Sequence, residues 1–319
     1  MTLASQADKT LTLQTARGVV SFGGRMQIMG IVNATPDSFS DGGTPRSLED
    51  RVGMAAAQLE AGAQVIDVGG ESGVTNRPPV PAEEEIARVV PLIQRVAGEL
   101  GAMVSVDTYK PAVARAAIAA GAAIVNDVSA LRDPELADVC AQTGAGLVIM
   151  HTRAKPKQKL LDRSYDGRML ADVKQLLAER IDAALARGVM LEQLMIDPGP
   201  DFGKTPAQTV EVLRGLSELH EFGRPILLAI SRKDFIGAVT GRRPAERLAG
   251  TLAALAHGAD HGAHMVRVHD VAAAHEFLAV RAVLAGEERL DAEARLADRM
   301  RWESQGSATT SWAPGNLSR

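Results

Sequence analysis

Eight short aliphatic or β-branched runs recur along the chain, each followed by a polar or glycine-bearing turn and then by an Ala/Leu/Glu/Arg-rich segment of helical period. The runs are Met26 to Asn33, Gln64 to Gly70, Met103 to Thr108, Ile124 to Ser129, Gly146 to His151, Leu194 to Gly199, Pro225 to Ser231 and His264 to His269. Helices are predicted over Leu48 to Ala61, Ala82 to Leu100, Pro111 to Ala120, Pro134 to Thr143, Met169 to Arg187, Pro206 to Glu221, Ala245 to Gly262 and Val271 to Ala285. Ser47 before the first, the Glu83-Glu84-Glu85 run opening the second and Pro111 heading the third are typical helix starts.

Eight alternations within roughly 260 residues predict an α/β fold of the closed (β/α)8 TIM-barrel type, and near-continuous apolar strands suit a parallel sheet covered by helices. Ahead of it, Leu11 to Gln14 and Val19 to Phe22 predict a hairpin plugging one end. From Gly286 the chain turns polar; Leu290 to Trp302 reads as one more helix, and about the last fifteen residues as disordered. The expected division is a leader over 1–25, a barrel over 26–285 and an extension over 286–319.

Composition narrows the class. Of 319 residues 46% are hydrophobic, enough for a large core, and only 3% are aromatic, which disfavours an all-β sandwich. A net charge of −4 argues against a nucleic-acid partner. The single cysteine, Cys140, excludes an intrachain disulfide framework and a cysteine-rich zinc site, and reads as a small buried hydrophobe. Without a long apolar run or a signal-peptide pattern, no membrane association and a cytoplasmic location are expected.

In a parallel barrel the C-terminal strand ends share one rim. Those ends carry Asn33; Asp67 and Glu71; Asp107; Asn126 and Asp127; His151; Asp197; Ser231, Arg232 and Lys233; and Arg267, His269 and Asp270. A lone Asp at such a place is commonly a helix cap or turn former, but caps would not require Asn, His, Lys and Arg among them. Arg267 and His269 lie two apart on a strand and share a side. With Lys233, Asn33 and the hydroxyls after it, including Thr35, they suit a phosphate or diphosphate, with a divalent cation drawing on Asn33. Asp107, Asp197 and Asn126 suit the donor-rich edge of a flat heterocycle. Lys204 in DPGPDFGKT sits in a weak phosphate-loop lookalike, and Arg153, Lys155, Lys157 and Lys159 form either a solvated loop or an attractor for anions.

The segments MGIVNATPDSFSDGG, DVGGES, VSVDTYKP, IVNDVSAL, DPGPDFGKT, SRKDFIG and RVHDV, in that order from about Met26 to Leu284, resemble the dihydropteroate synthase family. The resemblance implies a TIM barrel that joins 4-aminobenzoate to 6-hydroxymethyl-7,8-dihydropterin diphosphate on the route to folate, releasing diphosphate. It implies pterin contacts from Asp107, Asn126, Asp197 and Lys233, and a diphosphate and Mg2+ site at Asn33, Arg267 and His269. Phe202 matches the aromatic that flanks the arylamine. The loops after Asn33 and Gly70 are expected to close over the leaving group, and a carbocation-like pterin then meets the arylamine. Asp37 is the candidate that shields the cation or organises the arylamine. The family further implies a homodimer built on the last barrel helices.

Two departures fall on the arylamine half. Where the family continues Gly-Gly-Glu-Ser with Thr-Arg-Pro, this chain has Gly73-Val74-Thr75-Asn76-Arg77-Pro78 with no change of length, so Arg77 is the candidate replacement arginine. Where the family has a small hydroxyl residue after the lysine, Asp234 stands; a carboxylate there would repel the aminobenzoate carboxylate unless it serves as a helix cap. The leading expectation is a dihydropteroate synthase or close relative with altered aminobenzoate binding and a weak response to sulfonamides, which mimic that substrate. The alternatives are a pterin-dependent barrel enzyme with another second substrate, a corrinoid-linked methyltransferase included, and a non-catalytic pterin-binding paralogue.

Overall fold

The computed structural model describes residues 11–35, 47–73, 75–297 and 300–301. Asp37, most of the loop after Asn33, and the chain from 302 onward lie outside the described residues. An antiparallel hairpin comes first, β1 (Leu11–Thr15) and β2 (Gly18–Phe22), in register from Leu11 opposite Phe22 to Thr15 opposite Gly18. The barrel strands follow: β3 (Gln27–Asn33), β4 (Val65–Gly69), β5 (Met103–Asp107), β6 (Ile124–Asp127), β7 (Gly146–Met150), β8 (Leu194–Asp197), β9 (Leu227–Ala229) and β10 (Met265–Val268). Their order is β8-β7-β6-β5-β4-β3-β10-β9, and every adjacent pair is parallel. Ile196 and Ile226 bridge the two ends, with the Ile196 N–H donating to the Pro225 carbonyl at 3.0 Å, so the ring closes as the repeat count predicts.

The helices are α1 (Leu48–Glu60), α2 (Ala82–Gly98), α3 (Pro111–Ala119), α4 (Glu135–Thr143), α5 (Met169–Ala186), α6 (Pro206–Arg214), α7 (Asp234–Thr240), α8 (Leu248–Asp260) and α9 (Val271–Leu284). Ser47 caps α1 through a reciprocal pair with Asp50, and Thr205 caps α6 in the same way with Gln208. Three expectations need correction. The long helix over Pro206 to Glu221 ends at Arg214 and continues past Gly215 as a 3-10 segment over Leu216–Phe222. The short α7 has no counterpart in the predicted elements. Residues 290–297 form turns and irregular backbone, so the extra helix expected there is not formed in the described part of that stretch.

Side chains alternate between two cores. Ile28, Val32, Ile66, Val68, Val104, Val106 and Val266 point out under the helices. Met29, Val65, Val148, Met195, Leu227 and Met265 point inward, where Leu13 and Phe22 of the hairpin meet them. Leu13 is fully buried, and Arg224 ties the hairpin down by donating to the Thr12 carbonyl at 2.7 Å and the Leu194 carbonyl at 3.0 Å. The hairpin therefore plugs the barrel, as expected. Cys140 is buried in the outer core. No described helix is long and apolar enough to cross a membrane.

Because Leu13 fills one end of the barrel while the polar strand ends lie at the other, Leu13→Ala should destabilise the fold by about 2–5 kcal/mol in denaturant titration. Ligand affinity at the polar end, measured well below the transition, should be unchanged.

Candidate active site

The inward positions at the C-terminal strand ends build a charged mouth. Arg267 on β10 reaches across it: its Nε donates to Asp67 Oδ2 on β4 at 2.5 Å and its Nη2 to Asp107 Oδ2 on β5 at 2.7 Å. Asp67 Oδ2 also accepts from Asn126 Nδ2 on β6 at 3.2 Å. Asp67 is fully buried, and its other oxygen, like the hydroxyl of its register partner Ser105, is enclosed without a hydrogen-bond partner. Burial raises the Asp107 carboxyl above its usual range, nearby Asp67 adds to this, and Arg267 opposes it. Asp197 at the end of β8 is buried and pushed up to about 6, even though the Gly199 N–H donates to it at 2.7 Å. Lys233 comes in from the β9 side, its ammonium 4.2 Å from the centre of the Phe202 ring, and burial lowers its pKa. His269 lies beside Ser231, with Nδ1 3.0 Å from the hydroxyl.

The loop between β8 and α6 is wound around a buried lysine. Lys204 Nζ lies 2.7 Å from His151 Nδ1, and donates to the carbonyls of Gly199 at 2.9 Å, Phe202 at 3.2 Å and His151 at 3.3 Å. Burial pulls this lysine down to about 7. His151 continues the chain through Nε2, 3.1 Å from Asp172 Oδ2 on α5, which also takes Arg153 at 2.6 Å. Burial and the neighbouring Lys204 lower His151 to about 4, so the ring is neutral at pH 7, accepting at Nδ1 and donating from Nε2. Gly199 has φ of 64°, and a Cβ there would stand 2.1 Å from the His151 carbonyl oxygen, so only glycine fits.

Asp201, on the same loop, accepts from the backbone N–H groups of Asp234 and Phe235 and so caps α7 from outside. Asp234 is therefore not the cap: it is the first residue of α7, largely exposed, and bonded to Arg247 Nη1 at 2.9 Å.

The divergent second loop is stapled at both ends. Glu71 accepts from Lys110 Nζ and from the Val80 N–H, both at 2.7 Å, and Lys110 also bonds Glu85 on α2 and the Val80 carbonyl. Lys157 donates to the Ser72 carbonyl at 2.7 Å. Between them lies a cavity of about 200 Å³ lined by Thr35, Glu71, Ser72, Arg77, Pro78, Val80, Arg88 and Lys157. Arg77 stands in a turn on this cavity rather than on a helix facing away, and Thr35 is held from behind by Arg51, which donates to its carbonyl at 2.9 Å.

The strand ends thus divide into two sets. Asn33, Asp107, Asn126, Asp197, Lys233 and Arg267 share the mouth, with Phe202 beside Lys233. Asp127, by contrast, accepts from the Ser129 N–H at 2.9 Å and hydroxyl at 2.6 Å and from the Leu131 N–H, stabilising a turn in which Ala130 and Leu131 have positive φ. Arg232 and Asp270 pair with each other at 2.7 Å. His151 and Lys204 are consumed by the buried chain, so the phosphate-loop reading of Lys204 is set aside, and the basic run after His151 is more than a solvated loop, since Arg153 and Lys157 have fixed partners. Asp67 was placed on the rim but not among the ligand contacts; its shared side with Asp107 marks it as the partner that orients Arg267 and Asn126.

Among the described residues no group of three or more His, Cys, Asp or Glu is placed to hold a metal. A Cβ on Gly69 would lie 3.6 Å from Asn33 Oδ1 and from Asp107 Cβ, so the amide oxygen sits at the open end of the mouth beside Asp107. A single neutral oxygen there suits a hard cation that takes its other ligands from phosphate and water.

Residues 29–269 match the family described as pterin binding enzyme. The chain is 42% identical over 244 residues to the dihydropteroate synthase of Escherichia coli K12, covering 76% of this chain and 86% of that one. It is 40% identical over 265 residues to that of Bacillus subtilis 168, covering 83% and 90%. Among solved structures, Xanthomonas albilineans dihydropteroate synthase with 4-aminobenzoic acid superposes with a TM-score of 0.79 at 42% identity, over 87% of this chain and 99% of the other. The same enzyme in complex with 7,8-dihydropteroate gives 0.73 at 43% identity, over 82% and 94%. The protein described here therefore belongs to the pterin-binding enzymes, in the dihydropteroate synthase family.

Proposed function

We propose that this chain condenses 6-hydroxymethyl-7,8-dihydropterin diphosphate with 4-aminobenzoate, forming dihydropteroate and releasing diphosphate. The observation that carries the reading is the mouth itself, where Asp107, Asn126, Asp197, Lys233 and Arg267 from five different strands or their loops converge. Asp107, Asp197 and Asn126 take the donor edge of the pterin, with Lys233 opposite. As the C–O bond to diphosphate breaks, positive charge grows on the pterin methylene. Carboxylates already fixed in a water-poor pocket stabilise that charge without rearranging. Arg267, held by Asp67, and His269, beside Ser231, take the departing anion together with Arg77. Asn33 Oδ1 would help hold a divalent cation such as Mg2+, which would supply charge neutralisation to the leaving group. Thr35 opens the loop after Asn33; to Asp37, which lies outside the described residues, we assign the shielding of the developing cation. Phe202 flanks the arylamine, whose nitrogen attacks the methylene and then loses a proton to water.

The arylamine half differs in its loops. Arg77 and Lys157 line the adjoining cavity with Arg88, which pairs with Glu84, and with Glu71, which pairs with Lys110, and we assign Arg77 the part of the family's loop arginine. Asp234 spends its charge on Arg247 at an exposed position, which weakens its repulsion of the aminobenzoate carboxylate. The enzyme works in the cytoplasm as a homodimer through α8 and α9, which expose Leu248, Val280 and Leu284.

The deciding assay incubates the purified protein with pterin diphosphate and Mg2+, with and without 4-aminobenzoate, and follows diphosphate and dihydropteroate. Both products are expected; diphosphate without dihydropteroate would assign the barrel a different second substrate. Arg77→Ala should lower kcat/KM by roughly 10- to 100-fold, the value of a charge-assisted hydrogen bond. Asp234→Ser should lower the KM for 4-aminobenzoate by about 2- to 5-fold, as expected for removing a screened surface charge, with pterin affinity unchanged.

Affinity for the pterin alcohol, which has no phosphate to titrate, should depend on pH. Asp197 is raised to about 6 and Asp107 to about 7, so their charged forms, the better acceptors, are lost as pH falls through that range. Calorimetric Kd values should rise several-fold between pH 7 and pH 5, and Asp197→Asn should remove the part of the profile near pH 6; a flat wild-type profile would remove both carboxyls from the pterin site.

A further inference from the structure

Lys204 is 2% exposed, yet the chemistry of the mouth makes no use of it. Its three N–H groups face four acceptors, His151 Nδ1 and the carbonyls of Gly199, Phe202 and His151, so none is left over for a substrate. What the ammonium does is join two loops. The carbonyls of Gly199 and Phe202 belong to the loop after β8, and those of His151 to the loop after β7. Behind the neutral His151, Asp172 on α5 joins the cage to the half-buried Arg153.

Each loop that meets on Lys204 carries part of the second-substrate half of the site. On the first, Phe202 lies under Lys233, and Asp201 caps α7 and so sets the backbone at Asp234 and Phe235. Backbone strain is concentrated there: Gly199, Asp201 and Gly203 all have positive φ, at 64°, 65° and 61°. A loop with an aspartate in the left-handed region holds that shape against fixed contacts: the Thr209 hydroxyl accepts from the Asp201 N–H at 3.1 Å and donates to its carboxylate at 3.0 Å, and the Lys204 cage fixes the flanking Gly199 and Phe202. On the second, Lys157 reaches the Ser72 carbonyl of the loop that presents Arg77. Pterin contacts from Asp107, Asn126 and Arg267 stand on strands outside this cage; the Asp197 carboxyl, itself on β8, meets it through the Gly199 N–H, and Lys233 through the Phe202 ring.

We infer that Lys204 is the positioning residue of the second-substrate half of the site, holding Phe202, Asp201 and the Lys157-supported second loop in register through one enclosed ammonium. The naming of that substrate as 4-aminobenzoate rests on the function proposed above.

The test compares wild type with Lys204→Met, Lys204→Ala and His151→Gln, measuring KM for 4-aminobenzoate, KM for pterin diphosphate and Kd for the pterin alcohol. In Lys204→Met the KM for 4-aminobenzoate should rise on the order of 10-fold or more, the scale of a small misplacement of binding groups. The pterin-alcohol Kd should stay within about threefold. Lys204→Ala lacks the atoms of n-propylammonium, and adding that amine should restore the 4-aminobenzoate KM saturably. Lys204→Met, whose side chain fills the space, should not respond. His151→Gln, which removes one acceptor and leaves the carbonyl cage, should raise the same KM by a smaller factor, and it decides the matter if the Lys204 variants do not fold. Equal loss for both substrates, an unchanged 4-aminobenzoate KM, or absence of rescue overturns the inference while leaving the proposed function standing. A wild type that makes no dihydropteroate overturns both.

Discussion

A closed ring of short parallel strands gives each side chain two destinations, the barrel interior or the layer beneath the helices, and successive residues alternate between them. Everything else in this molecule follows from that rule. At the bottom the inward positions are Met29, Val65, Met195, Leu227 and Met265, sealed by Leu13 and Phe22. One or two steps further along the same faces they become Asp67, Asp107, Asn126, Asp197 and Arg267. Charge enters the interior only where the strands end, and it does so from several strands at once.

Charges brought so close together must be balanced or the fold would lose more by desolvation than it gains by packing. Arg267 answers Asp67 and Asp107 together; Lys110 answers Glu71 and Glu85; Asp172 answers Arg153. The balance in the mouth is incomplete. Three carboxyl groups, Asp67, Asp107 and Asp197, face two cations, Arg267 and Lys233, and burial raises the pKa values of Asp107 and Asp197 above the ordinary carboxylate range. Such a pocket favours a ligand that brings donors and develops positive charge, which is what the pterin methylene does when diphosphate leaves.

Most of the fold was legible because its signals are local and repeated. Eight runs of the right length, each followed by a helical segment, left little room for another architecture, and Ser47 and Pro111 mark helix starts, the first by a bond to Asp50 three residues on and the second by its fixed backbone angle. What stayed hidden depends on contacts remote in sequence. The seven-residue α7 is too short to show a period and is capped by Asp201, more than thirty positions away. The site was legible in its residue types, but types alone merged two groups. Asn126 and Asp127 are neighbours on one strand with opposite faces: the first meets Asp67 in the mouth, the second fixes a turn outside it. Applying alternation to every strand end, as it was applied to Arg267 and His269, would have separated them and promoted Asp67. The enclosure of Lys204 had no such signal, because it depends on two loops folding back on one side chain.

The division between strand-borne and loop-borne groups also explains where this chain departs from its relatives. The proposed pterin contacts stand on strands and are constrained by pleat, register and ion pairs, so a change at Asp107 or Arg267 would disturb the barrel mouth itself. The second loop is anchored at its ends by Glu71 with Lys110 and by the Lys157 bond to Ser72. Between those staples Thr75, Asn76 and Pro79 are exposed and bury no core. An arginine can therefore migrate from the usual place to position 77 provided its guanidinium still faces the same cavity, and Arg77 does line it with Thr35. Substrate identity at the pterin end is thus tied to the stability of the barrel, while affinity for the arylamine and for compounds that imitate it is free to drift along the loops.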